Sequence, residues 1–246
     1  YFFKSAKNII TVTEGLKKQL VQQYGVNTND IIVVPNGANT QVFRPLDKDE
    51  CRKELNLCLK SRYVSFVGNL VPWQGIDYLI EAAPLVIQEF PDIKFLIVGD
   101  GVMRRKWENM VKNYNLEAYF LFVGSIPFDK VPKFINATDV CVAPFIRERN
   151  EKIGLSPLKI YEYMACGKPV VGSDILGVGD ILEQGNAGLS FPSENYFELA
   201  TKINYLLSDD SLCASMGICG RNLVVQKYSW EHTASRLVQV IGGDCE

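Results

Sequence analysis

Apolar residues in this chain follow two alternating rhythms from residue 63 onward. Short, nearly unbroken apolar runs stop at a glycine: YVSFV at 63–67 before Gly68, IKFLIV at 93–98 before Gly99, and YFLFV at 119–123 before Gly124. A fourth such run spans 140–144, and shorter ones span 169–173 and 188–191. Their brevity and their β-branched and aromatic content predict strands buried on both faces. Between them the period changes. Leu79, Ala82, Ala83 and Val86 fall on one side of a helix predicted over 76–90. Helices are also expected over 104–114 and over 130–137, where Pro132 suits a first turn. A polar loop is expected at 146–153, then a helix over 158–166 closed by Gly167. Three more helices are predicted over 197–207, 212–225 and 230–241.

Apolar strands alternating with helices predict an α/β fold, a Rossmann-like parallel sheet with helices on both faces. Ligands of such sheets bind beyond the C-terminal strand ends. Gly68, Gly99-Asp100-Gly101 and Gly124 fall at those ends. One glycine there is turn geometry by default. Three along one sheet edge point to close approach of backbone and ligand.

Composition narrows the function classes. The chain has 246 residues, 47% of them hydrophobic and 22% charged, with a net charge of -2. This suits one large or two small globular domains, and no basic excess points to nucleic acid. No apolar stretch reaches the ~20 residues that span a bilayer. The opening Tyr1-Phe2-Phe3-Lys4 starts abruptly, as if cut from a longer chain. Seven cysteines lack a C-x-x-C pair and read as small apolar fillers in a reducing cytoplasm. With His232 the only histidine, no zinc site is expected and any histidine-based catalysis is limited to that position. Asn136-Ala137-Thr138 matches a glycosylation sequon and reads as chance. No G-x-G-x-x-G follows a strand, and there is no G-x-x-x-x-G-K-[ST] loop or G-x-S-x-G elbow, so the dehydrogenase, phosphate-loop and hydrolase readings fall away.

Six stretches change the picture together: VVPNGANTQVFRP (33–45), FVGNLVPWQGIDYLIEA (66–82), FLIVGDG (95–101), FVGSIPFDKVPKFINATDVCVAP (122–144), GLSPLKIYEYMACGKPVV (154–171) and YSWEHTASRL (228–237). In order and spacing the chain resembles the nucleotide-sugar-binding half of retaining GT-B glycosyltransferases of family 4. The resemblance implies two Rossmann-like domains across a cleft. Residues 46–227 would be the donor-binding domain. Residues 1–45 would be a remnant of the N-terminal acceptor-binding domain with its linker, and 228–246 a helix crossing back to it. It implies a UDP- or GDP-linked sugar as donor, a glycan or lipid acceptor, no further cofactor and no metal, since no D-x-D pair ends a strand. It also implies a cytoplasmic protein, at the inner membrane face where the acceptor is a lipid. Without the first domain, the isolated chain is expected not to transfer sugar.

The same resemblance assigns roles position by position. In its first strand–helix loop the family places an arginine and a lysine against the diphosphate. Here the loop is Gly68-Asn69-Leu70-Val71-Pro72-Trp73-Gln74-Gly75, with Asn69 and Gln74 at those two positions. Neither side chain is charged, and charge-assisted hydrogen bonds are about twice as strong as neutral ones. Lys159, one turn before Glu162, is the substitute cation. Ser156, Leu158 and Lys159 at the start of the 158–166 helix offer free N–H groups and the positive dipole end. Arg147, Arg149 and Lys152 are further cations nearby. Glu162 matches the carboxylate that pairs with the ribose hydroxyls. The family's first carboxylate would be residue 154, which is Gly154. Either Glu151 shifts into its place or backbone amides at Gly154 and Leu155 hold the sugar. The base would rest against backbone groups of Gly124, Ser125, Ile126 and Pro127, with Gly101 a further donor-binding position and Trp73 and Tyr161 as stacking or packing aromatics. Two rival classes are a non-catalytic nucleotide-sugar-binding module with a degenerate site and, less favoured, an epimerase of the same architecture.

Overall fold

A computed structural model describes residues 6, 8–150 and 153–242, except the side chains of Arg149 and Ile241. In chain order the elements are β1 (Ile9–Thr11), α1 (Glu14–Tyr24), β2 (Ile31–Val33), α2 (Lys48–Glu54), β3 (Arg62–Val67), α3 (Ile76–Glu89) and β4 (Ile93–Val98). There follow α4 (Arg104–Asn113), β5 (Phe120–Gly124), α5 (Val131–Asn136), β6 (Val140–Ala143), α6 (Arg147–Asn150), α7 (Leu158–Ala165) and β7 (Val170–Ser173). The last are α8 (Gly179–Gly185), β8 (Gly188–Phe191), α9 (Tyr196–Leu207), α10 (Asp210–Lys227) and α11 (Trp230–Gly242).

Six strands form one parallel sheet in the order β5-β4-β3-β6-β7-β8. Alternation within each apolar run splits the core in two, because successive strand side chains point to opposite faces. Val64, Phe66, Phe95 and Ile97 pack with Leu79, Trp107 and Ile203 of α3, α4 and α9. Tyr63, Val67, Leu96 and Val98 pack with Ile135, Tyr163 and Leu182 of α5, α7 and α8. The expected sheet with helices on both faces is therefore present. Among the described residues no helix is long and apolar enough to cross a membrane.

The strand order reverses between β3 and β6, and the two strands stay paired only over Val64↔Val140 and Ser65↔Cys141. Beyond that point they part. The N–H and C=O of Val67 are left without a strand partner, and α7 supplies one. The buried Tyr163 hydroxyl accepts from Val67 N at 2.7 Å and donates to Val67 O at 3.2 Å.

Four features differ from the expectation. The polar 146–153 loop contains the single turn of α6. Helix α2 went unforeseen because KDECRKE has almost no apolar period; Asp47 starts it by accepting from Glu50 N. Helix α8 went unforeseen because Gly179 and Gly185 bracket it. The stretch 5–36, whose resemblance implies the last strand and helix of the first domain, holds among its described residues a strand, a helix and a second strand, with β1 and β2 pairing in parallel. This unit is laced to α11: Thr233 Oγ1 donates to Pro35 O at 3.2 Å and Arg236 Nη2 to Val33 O at 3.1 Å. The sequon asparagine, Asn136, is 1% exposed, with its amide donating to Arg44 O and Pro132 O.

Replacing Tyr163 with Phe strands two buried backbone groups at the end of β3. We expect a loss of about 1–3 kcal/mol, read as a fall of several degrees in the thermal midpoint. An unchanged midpoint would mean that the sheet's opening does not depend on this hydroxyl.

Candidate functional site

The parting of β3 and β6 opens a cleft of about 510 Å³ at the C-terminal strand ends. One wall is the turn after β3, with Gly68, Asn69, Trp73 and Gln74. The other is the entry to α7, with Leu155, Ser156, Leu158, Lys159 and Glu162. Asn36, Phe128, Val131, Phe145, Asn150 and Ile153 complete the lining. Of the positions singled out from sequence, the structure gathers nine here: Gly68, Asn69, Trp73, Gln74, Leu155, Ser156, Leu158, Lys159 and Glu162.

Lys159 reaches across the cleft from α7. Its Nζ donates to Gln74 Oε1 at 2.5 Å, lies 3.6 Å from the centroid of the Phe66 ring and 5.2 Å from that of Phe145. A side chain at 68 would intrude, since a Cβ there would sit 2.9 Å from Nζ. Burial among these groups pushes the Lys159 ammonium well below its usual pKa, and the Glu162 charge only partly offsets it. Burial likewise pushes the Glu162 carboxyl up to about 7, eased by Lys159. The first turn of α7 is capped by no side chain. Ile160 N and Tyr161 N both turn back to Pro157 O, so the free N–H groups are those at the very start of the helix. A cation, a helix N-terminus and a carboxylate thus share one wall, a set suited to an anionic group next to vicinal hydroxyls.

Most other expected positions lie apart from this wall, and two of its own residues are engaged elsewhere. Gly154 faces Leu176, whose Cδ2 would be 3.1 Å from an added Cβ, and it lines a separate cavity of about 180 Å³ behind the 154–156 strap. The Leu155 N–H is donated to Leu176 O at 2.9 Å, so this amide is not open to a sugar. The Ser156 hydroxyl accepts from Asn36 N at 2.8 Å and sits 3.3 Å from the Tyr161 hydroxyl, so although the residue lines the cleft its hydroxyl ties the strap to the linker. Gly101 owes its residue type to packing: an added Cβ would lie 2.4 Å from Leu70 O. Gly124 lies under the guanidinium of Arg104, which also bonds Asp100 and Glu108. Ser125 and Ile126 sit just beyond β5 without lining the cleft, while Phe128 and Val131 from the next turn do line it. Tyr161 is 1% exposed and stacks on Tyr228 at 4.9 Å, a packing role. Trp73 lines the cleft; Arg147 belongs to α6. Glu151, Lys152 and the side chain of Arg149 lie outside the described residues. Asn36, Phe128 and Phe145 were not anticipated as lining. Asn36 alone carried a signal, in the PNG turn of 33–45.

Residues 47–223 match the family described as glycosyl transferases group 1. An uncharacterized glycosyltransferase of Methanocaldococcus jannaschii is 32% identical over 235 residues, 94% of this chain and 59% of that protein. A GDP-mannose-dependent alpha-(1-6)-phosphatidylinositol monomannoside mannosyltransferase of Mycolicibacterium smegmatis is 28% identical over 213 residues, 85% of this chain and 56% of that protein. The fold superposes on Anabaena HepE, solved in complex with UDP, with a TM-score of 0.84 at 20% identity, covering 96% of this chain and 64% of that one. The chain therefore spans a little over half the length of these curated relatives.

The raised pKa of Glu162 fixes the sign of one pH effect. The unfolded carboxyl ionises from about 4.5 and the folded one near 7, so folding holds an extra proton between these values and stability falls as pH rises through them. Glu162→Gln removes this penalty. At pH 8 the variant is expected to be more stable than wild type by at most about 3 kcal/mol, with little difference at pH 4. Parallel denaturant titrations at the two pH values measure it; equal gains at both would disprove the linkage.

Proposed function

The chain belongs to the glycosyl transferases group 1 family, and on that basis we propose that its cleft is the donor site of a retaining glycosyltransferase, which moves a hexosyl group from a nucleotide sugar to a glycan or lipid. The observation that carries this reading is the shared wall of the cleft: the Lys159 ammonium, the uncapped start of α7 and the Glu162 carboxylate. As the bond from the sugar C1 to the diphosphate oxygen breaks, negative charge grows on that oxygen. Lys159 and the N–H groups of Leu158 and Lys159 are placed to meet it without reorganising. Glu162 accepts from the two ribose hydroxyls, a task that requires its ionised form. Ligand charge favours the same ionisations that burial opposes, so the diphosphate stabilises protonated Lys159 and the hydroxyls stabilise charged Glu162.

Retention is assigned to attack from the face that the leaving group departs. The acceptor oxygen bonds to C1, and its proton passes to the departing phosphate oxygen. We assign the countercharge to Lys159 and the helix terminus, with no divalent metal or further cofactor. A UDP- or GDP-linked donor is preferred; the mycolicibacterial relative is named as GDP-mannose-dependent and HepE was solved with UDP. The acceptor is assigned to no described residue. We place the protein in the cytoplasm, on the six unpaired cysteines among the described residues, and at the inner membrane face where its acceptor is a lipid. The uncharged Asn69 and Gln74 favour one second reading, a module that binds the nucleotide sugar without turning it over.

Calorimetric titration with UDP, GDP and ADP in the presence of EDTA tests the donor site. We expect UDP or GDP to bind more tightly than ADP, and Lys159→Ala to weaken binding about tenfold or more. Failure of all three to bind would remove the donor-site reading. Tight binding with no hydrolysis or transfer of the sugar by the full-length protein would favour the binding module.

A further inference from the structure

Gln74 is a buried amide, 9% exposed, at the bend between β3 and α3. Its own N–H is donated to Val71 O at 3.0 Å, and the next residue, Gly75, is pressed so closely on Pro144 O that a Cβ there would lie 1.8 Å from it. The Gln74 side chain is thus aimed by a backbone with little freedom, and its Oε1 receives Lys159 Nζ at 2.5 Å. Phe66 at 3.6 Å, Phe145 at 5.2 Å and the bare backbone of Gly68 also flank the ammonium.

We propose that positions 74 and 159 share a single cation seat at the diphosphate end of the cleft, with Gln74 the positioning residue that holds Lys159 in it. The inference rests on the donor-site reading above. The space admits one ammonium. A lysine side chain is one bond longer than glutamine, so a lysine at 74 would carry its Nζ into the spot where Lys159 Nζ now sits. Two ammoniums there would stand within hydrogen-bonding distance in a low-dielectric wall and repel strongly. With Lys159 removed, the same spot is open to a cation arriving from the turn. Gln74 thus keeps the seat free for the helix-borne lysine and supplies the oxygen that orients it. Of the groups facing Lys159, Glu162 on α7 is titratable, while Phe66 of β3, Gln74 of the turn and Phe145 after β6 are not.

The test is calorimetric titration with UDP and GDP of wild type, Gln74→Leu, Gln74→Lys, Lys159→Ala and the double variant Gln74→Lys/Lys159→Ala, from pH 6 to 9. Thermal unfolding confirms that each is folded. Lys159→Ala is expected to weaken binding about tenfold or more, and the double variant to return to within about threefold of wild type. Gln74→Lys alone is expected to bind worse than wild type despite its added charge. Gln74→Leu deprives the charged form of Lys159 of an acceptor, so binding is lost on the alkaline side at a lower pH than in wild type. A merely structural glutamine would not move that limb. Wild-type binding without rescue in the double variant overturns the shared seat and leaves the donor site standing. No binding of either nucleotide by wild type overturns both.

Discussion

Everything at the site depends on β3 and β6 parting after two residue pairs. A parallel sheet gains from continuing its ladder, and each broken step leaves buried polar groups in want of partners. Tyr163 makes the break tolerable by offering one hydroxyl as both acceptor and donor to Val67. The residue that seals the gap lies on α7, the helix that also carries Lys159 and Glu162. Sealing and site-building are therefore the same packing event. Ile160, Tyr163 and Met164 are fully buried on the sheet side of α7, which leaves positions 158, 159 and 162 along the cleft side.

Burial then puts the site in tension with itself. The unliganded cleft disfavours charge on both Lys159 and Glu162, each relieved only in part by the other. Such a wall is poor at being empty and well suited to a partner that brings opposite charge and hydroxyl donors together. Electrostatic groups held out of water need not reorganise when charge appears beside them. The cost shows up as local instability, as is common where polar function is built into a core.

The sheet, its order of strands and helices, and most element boundaries were legible because each strand is an almost pure apolar run and each long helix keeps its period. The wall formed by Lys159, Glu162 and the α7 terminus was legible too, through the spacing within SPLKIYEYM. What sequence could not reveal was direction. Gly101 reads as an approach point for a ligand, yet its missing side chain makes room for Leu70 O. Ser156 and Leu155 read as ligand donors, yet Asn36 and Leu176, distant in sequence, already occupy them. Phe128 and Phe145 enter the lining through tertiary packing that leaves no local pattern. Nor does spacing disclose that Gln74, read as a lost cation, is the group to which the replacement cation is bonded.

The contact between Asn36 and Ser156 has a consequence of its own. Two hydrogen bonds, Asn36 N to Ser156 Oγ and Asn36 Nδ2 to Ser156 O, fasten the stretch after β2 to the lip of the cleft. They act as a latch. The β1–α1–β2 unit cannot part from this lip without undoing both, and Thr13, whose hydroxyl donates to Ile153 O, is a third stitch in the same seam. Each such bond is worth about 1 kcal/mol net, so the three together hold the seam against thermal motion. One strap thus serves both as the rim of the cleft and as the clasp on the unit that precedes it.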